Sequence, residues 1–266
     1  MRFRRLVRGR LDWPQLERVT RAIAERYNRE TVRVRFLEAD NWLSTPMVVD
    51  DDLFVKVISR QNTYVQALFT TGRNLGAFST GTEGFFQSFQ TPAEMARHEL
   101  EATERMRELG INAPNPIEAF EVGDLGVVVL EYLPEFRAFD ELDVETETEL
   151  AVDLFGSLRR LHDAGMAHGD LRAENVLIRD GELFFIDATS ISTERRSAIR
   201  SYDIACGLAA LEPLIGAREA VDAALDVYAV DDLIEALDFL SFVQIRPDHD
   251  FAAAALRSEI EKRATK

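Results

Sequence analysis

Leu161-His162-Asp163-Ala164-Gly165-Met166-Ala167-His168-Gly169-Asp170-Leu171-Arg172-Ala173-Glu174-Asn175-Val176-Leu177-Ile178 is the stretch on which the reading of this chain turns. Ahead of it, an apolar stripe at Leu150, Leu154, Phe155, Leu158 and Leu161 predicts a helix over 147–164, stopped by Gly165. A tight polar loop follows, then a short strand over 176–178. Arg179-Asp180-Gly181 turns the chain back, and a return strand over 183–186 delivers Asp187. Asp170, Asn175 and Asp187 therefore fall at neighbouring strand ends. Two carboxylates and an amide offer oxygen donors, which suit Mg²⁺, a hard cation that keeps waters and shares phosphate oxygens. Turn capping accounts readily for one such residue, less readily for three at this spacing.

Working outward, Asp12-Trp13-Pro14-Gln15 opens a helix through about Tyr27. Strands are expected over 31–37, 46–49 and 53–58, the last two joined by a turn at Asp50-Asp51-Asp52. Residues 59–90 read as an insertion, helical near 63–69 and then loop-like through Gly72, Gly76, Gly81 and Gly84. Thr91-Pro92-Ala93-Glu94 is a capping-box start for a helix reaching Leu109, stopped by Gly110. Strands over 117–122 and 126–130 flank Gly123-Asp124, and everything after Tyr202 reads as helix. The fold class is α+β: a β-rich half with one main helix, then a helical half with a small β insertion. Residues 1–30 are expected as a basic helical extension, 31–133 as a small antiparallel-sheet lobe and 134–266 as a helical lobe.

Composition narrows the function. The 266 residues carry 31 Lys and Arg against 47 Asp and Glu, a formal net charge of −16. A generally basic surface tracking nucleic-acid phosphates is excluded, although residues 1–35 hold 11 of the arginines. A lone cysteine, Cys206, excludes a disulfide framework and Cys-rich metal sites and suits a reducing cytoplasm. No apolar run approaches the roughly 18 residues of a membrane helix, and no apolar stretch follows the charged first residues as in a signal peptide. Lysine occurs only at Lys56, Lys262 and Lys266. An acidic, lysine-poor chain fits a halophilic cytoplasm, where excess carboxylates keep a surface hydrated and self-repelling. The interior exception, Lys56, then calls for a role.

The loop around Asp170-Leu171-Arg172-Ala173-Glu174-Asn175 resembles the catalytic loop of the protein-kinase-like superfamily, in which a later Asp binds metal. Its His-Gly-Asp opening is similar to the RIO kinases, to the small kinase of the KEOPS tRNA-modification complex and to the aminoglycoside phosphotransferases. The resemblance runs from about residue 32 to 210 and implies a bilobal kinase-like fold with ATP and Mg²⁺ as cofactors. It implies that Asp170 takes or orients the proton of the attacking hydroxyl, that Asn175 and Asp187 hold Mg²⁺, and that Arg172 neutralises the transferring phosphoryl group. Lys56, in Leu53-Phe54-Val55-Lys56-Val57, takes the place of the phosphate-binding strand lysine. Its partner comes from the helix over 91–109: Glu99 shares a face with Met95, Ala102 and Met106, whereas Glu101, the alternative, lies with Arg97, Arg105 and Glu108. Glu131 C=O and Leu133 N–H would bond the adenine edge, Leu130 would limit the pocket's depth, and Leu177 would pack beneath the ring. His168 is expected to hold the loop structurally. Asp203 is expected at a helix start, bracing the loop or capping the helix.

The chain also departs from that pattern. No glycine lies between residues 11 and 71, so residues 39–45 replace a Gly-rich loop and leave Ser44 and backbone N–H groups to meet phosphate. Phe54 stands where a small residue usually covers adenine. Asp187 is followed by Ala188-Thr189, with no room before Asp203 for a peptide-binding segment. The expectation is an atypical serine/threonine kinase or ATPase of RIO type, with an RNA or ribonucleoprotein partner and no membrane. Arg195, Arg196 and Arg200 would anchor an anion or offset nearby acids. The alternatives are a small-molecule phosphotransferase using Asp222, Asp226, Asp231 and Asp232 for a cationic substrate, and a nucleotide-binding scaffold.

Overall fold

A computed structural model of the chain describes residues 11–37, 44–63, 89–141, 144–188, 196–244 and 250–265. The expected helix near 63–69 and most of the insertion, residues 64–88, lie outside the described residues, as does Arg195. The chain divides into two compact units: residues 1–71, 88–104 and 114–134 in the first, and 72–87, 105–113 and 135–266 in the second.

The first unit is a five-stranded antiparallel sheet, ordered β1 (Val34–Phe36), β2 (Thr45–Val49), β3 (Leu53–Ile58), β5 (Leu125–Glu131), β4 (Pro116–Val122). Strand side chains alternate between faces, and both faces are covered. Val19 and Ile23 of helix α1 (Trp13–Arg26) pack with Val55, Val57, Val127 and Val129 on one side. Met95 and Ala96 of helix α2 (Pro92–Glu108) pack with Ile58, Val128 and Leu130 on the other. This two-sided burial is why β5 reads as an unbroken apolar run rather than an alternation. The helix expected in a basic extension over 1–30 is thus a wall of the sheet core.

Both helix starts follow their sequence signals. Asp12 caps α1 by accepting the Gln15 N–H, and the Gln15 side chain returns a bond to the Asp12 N–H. Thr91 Oγ1 accepts the Glu94 N–H while the Glu94 carboxylate accepts from Thr91 N–H. The β2–β3 turn has positive φ at both Asp50 and Asp51, 52° and 60°, the backbone of a type I′ hairpin made without Asn or Gly. Arginines hold it. Arg29 bonds Asp50 and Asp52 at 2.6 Å each, Arg33 Nη2 bonds Asp51 at 2.6 Å, and the Asp50 carboxylate accepts the Arg33 N–H. The N–H of Arg33 and then the Arg29 guanidinium hold the Asp50 carboxyl below its ordinary range against the opposing effect of burial.

The second unit is built on α3 (Val144–Asp163), α4 (Arg196–Ile215), α5 (Ala217–Leu225), α6 (Val230–Gln244) and α7 (Ala253–Ala264), with a small sheet β6 (Arg137–Ala138), β7 (Val176–Arg179), β8 (Glu182–Phe185). Residues 201–210 of α4 are all buried, so this helix carries no amphipathic stripe and forms the centre of the unit. Asp203 lies inside α4, two turns beyond its first residue, and not at a helix start as expected. Asp180 and Gly181 both have positive φ and close the β7–β8 hairpin. Among the described residues, no helix is long and apolar enough to cross a membrane.

Candidate active site

In the first unit the site begins with strand alternation. Leu53, Val55 and Val57 point to α1, so Phe54, Lys56 and Ile58 point to α2. Lys56 lies mid-sheet, paired with Pro46 and Val128, and its side chain is 5% exposed. Its Nζ stands 2.6 Å from Glu99 Oε1. Glu99 has this place because α2 turns Met95, Ala102 and Met106 inward and leaves Glu101 in solvent. The approach of α2 to the sheet depends on Gly126, where a Cβ would lie 2.2 Å from the Pro92 carbonyl oxygen. Phe54 flanks the ammonium, its ring centroid 5.9 Å from Nζ. Ser44, the residue before β2, is buried and its hydroxyl has no partner among the described residues.

β5 ends at Glu131, whose N–H bonds Asn115 O, and Tyr132 N–H bonds Asp52 O. Leu133 follows as the first buried residue beyond these pairings, and Leu130 is buried on the α2 face. A cavity of about 400 Å³ in the same unit is lined by Arg60, Thr63, Phe89, Thr91, Glu121 and Asp124 among others. Neither Lys56 nor Glu99 lines it.

In the second unit the loop between α3 and β7 is held from behind. Asp203 is fully buried, and its carboxylate accepts the His168 N–H at 2.6 Å and the Gly169 N–H at 2.9 Å. His162 Nε2 approaches the same carboxylate at 3.2 Å. Gly169 has φ 77°, a conformation costly for a side-chain-bearing residue. His168 is wholly buried, its Nε2 3.1 Å from Ile186 O. A carbonyl only accepts, so Nε2 carries a proton. Burial pushes its pKa down, against the raising effect of Asp203, Asp170 and Asp187.

These ties place the polar groups. Asp170 is 6% exposed, and Arg172 Nη2 lies 3.5 Å from its carboxylate while also pairing with Glu174. A single 3-10 turn, Ala173–Asn175, brings Asn175 back so that its Nδ2 donates to Asp170 O at 2.8 Å. Ile186 N–H bonds Asn175 O at 3.0 Å, which sets Asp187 next to Asn175 across the hairpin. Asp187 takes φ 62°, a left-handed backbone for a residue with a side chain. Such conformations persist where surrounding structure enforces them, often at functional sites. Leu177 is buried on β7, paired with Ala138 and Phe184.

Residues 81–204 match the family model described as the RIO domain. The KEOPS complex subunit Bud32 of Pyrococcus abyssi is 31% identical over 98 residues, covering 35% of this chain and 43% of that protein. The RIO-type serine/threonine-protein kinase Rio1 of Haloferax volcanii is 35% identical over 95 residues, 34% of this chain and 31% of its own length. The chain thus spans less than half the length of these curated relatives. Among solved structures, the Rio2 kinase–ADP/Mg²⁺–phosphoaspartate complex of Chaetomium thermophilum aligns with TM-score 0.51 at 16% identity, over 96% of this chain and 78% of that one. An aminoglycoside-3′-phosphotransferase of type VIII aligns with TM-score 0.50 at 17% identity, over 83% of this chain and 96% of that one. The fold is protein-kinase-like, and the central stretch of the chain is similar to the RIO domain. The fold is the bilobal kinase-like α+β fold that the loop sequence implied.

Several residues of this RIO-like chain are committed elsewhere. Arg200 pairs with Asp232 at 2.5 Å, and Asp222 pairs with Arg263 at 2.6 Å. Arg26 binds Glu118, and Arg29 and Arg33 bind the β2–β3 turn. His162 and Tyr228 in the brace carried no signal in the sequence, since Tyr228 meets His162 across 66 positions and His162 is a lone histidine on a helix. Among the described residues, no group of three or more His, Cys, Asp or Glu is arranged to hold a metal unaided.

Proposed function

We propose that this chain is an atypical, RIO-like phosphotransferase that uses ATP and Mg²⁺. The observation that carries the reading is the pairing of buried Lys56 with Glu99 in a chain that otherwise avoids interior lysine. Lys56 binds α- and β-phosphate oxygens as a point charge, steadied by Glu99. The Ser44 hydroxyl, without a partner among the described residues, is a donor suited to a phosphate oxygen. Glu131 C=O and Leu133 N–H take the adenine edge, with Leu130 and Leu177 as its apolar surroundings.

The oxygen donors of the second unit fit Mg²⁺. Asn175 uses its Nδ2 on Asp170 O, which leaves Oδ1 as a ligand atom, and the backbone at Asp187 presents a half-buried carboxylate beside it. Two protein oxygens with phosphate and water completing the shell is a usual Mg²⁺ arrangement. Mg²⁺ bound there would neutralise charge on the phosphate oxygens. Asp170 takes the proton of the acceptor hydroxyl as its oxygen bonds the γ-phosphorus. The bond to the β–γ bridging oxygen breaks and ADP leaves, while Arg172 offsets the equatorial charge.

The Pyrococcus abyssi relative is by name a subunit of a complex, which supports a protein or ribonucleoprotein assembly as partner. A pull-down at high salt with bound protein and RNA identified tests this. The small-molecule reading is less supported, because Asp222 and Asp232 already have arginine partners. The central test is Asp187→Ala. Mg²⁺-dependent ATP consumption should vanish with the circular dichroism spectrum unchanged, and undiminished consumption would refute the assignment.

A further inference from the structure

Behind the loop lies one residue that this chemistry does not use. Tyr228, between α5 and α6, is 3% exposed, and its hydroxyl lies 2.8 Å from His162 Nδ1. The other ring nitrogen faces Asp203 Oδ2 at 3.2 Å. A carboxylate only accepts, so Nε2 carries the proton and Nδ1 presents a lone pair to which the Tyr228 hydroxyl donates. The run of bonds is continuous: Tyr228 to His162, His162 to Asp203, and Asp203 to the amides of His168 and Gly169, directly before Asp170.

We propose that Tyr228 is a positioning residue for the catalytic loop, fixing the neutral Nε2–H form of His162 and, through it, the grip of Asp203 on the loop backbone. The inference rests on the catalytic reading of Asp170. Its surroundings suit the role. Arg159 and Asp163 from α3 pair with each other at 2.8 Å, and Arg200 from α4 pairs with Asp232 of α6. Both guanidinium groups stand by the Tyr228 ring, 5.8 and 5.4 Å from its centroid. Among the described residues, Asp203 is the carboxylate bonded to the imidazole. Burial, and then the Asp203 charge, push the Tyr228 pKa up, so its hydroxyl remains a donor. Without that hydroxyl, Nδ1 loses the group that fixes the ring's tautomer and orientation. Asp203 then loses a steady donor at Nε2 and holds the loop amides less strongly.

Tyr228→Phe tests this with two readouts. Nitrogen NMR of the wild-type His162 ring should show the Nε2–H tautomer alone. In Tyr228→Phe the ring should no longer hold that single form, and kcat for ATP turnover should fall about tenfold, with KM within about twofold. Phe155→Leu loosens packing on the Tyr228 ring, whose centroid is 6.3 Å away, but keeps the hydroxyl. It should lower Tm and leave His162 in the Nε2–H form. A wild-type ring in the Nδ1–H form overturns the proposal even if Tyr228→Phe does not fold. So does a Tyr228→Phe ring that keeps the Nε2–H form alone with kcat unchanged. A wild type that consumes no ATP, yet has His162 in the expected form, refutes the function reading and leaves the positioning of the loop supported.

Discussion

Lys56 and His168 are both buried titratable residues, and they make opposite predictions. Lys56 faces Glu99 at 2.6 Å. Replacing both members of a buried ion pair with apolar side chains of similar volume is often nearly neutral for folding, whereas removing one strands the charge of the other. Lys56→Met combined with Glu99→Leu should therefore keep its urea midpoint close to wild type while turnover falls about a hundredfold, as expected when a preorganised charge on the phosphates is removed. His168 instead bears on folding. Burial keeps it neutral in the folded chain, whereas the unfolded chain gains a proton below about pH 6.5. The unfolded state then binds more protons, so stability falls as pH drops through that value, by up to about 1.4 kcal/mol per pH unit. Urea midpoints from about pH 7.5 to about pH 5 should show that slope, and His168→Gln should flatten it. The Lys56–Glu99 pairing was legible in the sequence, Lys56 through the scarcity of lysine and Glu99 through helical spacing. Tyr228 was not, because its contact is made by tertiary folding across 66 positions.

At the scale of elements, the strongest local signals fixed the best-predicted boundaries. The capping boxes at Asp12 and Thr91 start α1 and α2 where expected, because a side chain that satisfies orphan amides competes well with any other start. Thr91→Ala should cost about 1 kcal/mol, read by thermal or urea unfolding. Gly126→Ala should cost more, about 2 kcal/mol or above, since its methyl meets rigid backbone at Pro92. Signals from long-range contacts were weaker. The strand expected over 31–37 shortens to Val34–Phe36, and α4 begins at Arg196, ahead of where helix was expected. Residues 201–210 of that helix are buried all round, so no stripe ran through it to mark where it starts. The Asp50-Asp51 turn was legible as a turn, but the arginines that hold it come from 17 to 23 positions earlier and had no local sign.

For the whole molecule, the formal charge of −16 bears on stability. Self-repulsion among excess carboxylates weakens as ions screen it, so Tm should rise between low salt and molar KCl. Equal stability in both would remove the halophilic reading. The division into a sheet-based and a helical unit was legible from the order of elements. The role of α1 as a wall of the sheet core was less so, because its many arginines read as a separate basic segment. One contact in that sheet unit sets how close its parts can come. Where α2 begins, the carbonyl of Pro92 rests on the bare α-carbon of Gly126 with no slack. Glu99 stands seven residues along the same rod, about 10 Å away, so the absence of a side chain at Gly126 is what lets a carboxylate on another element reach the ammonium.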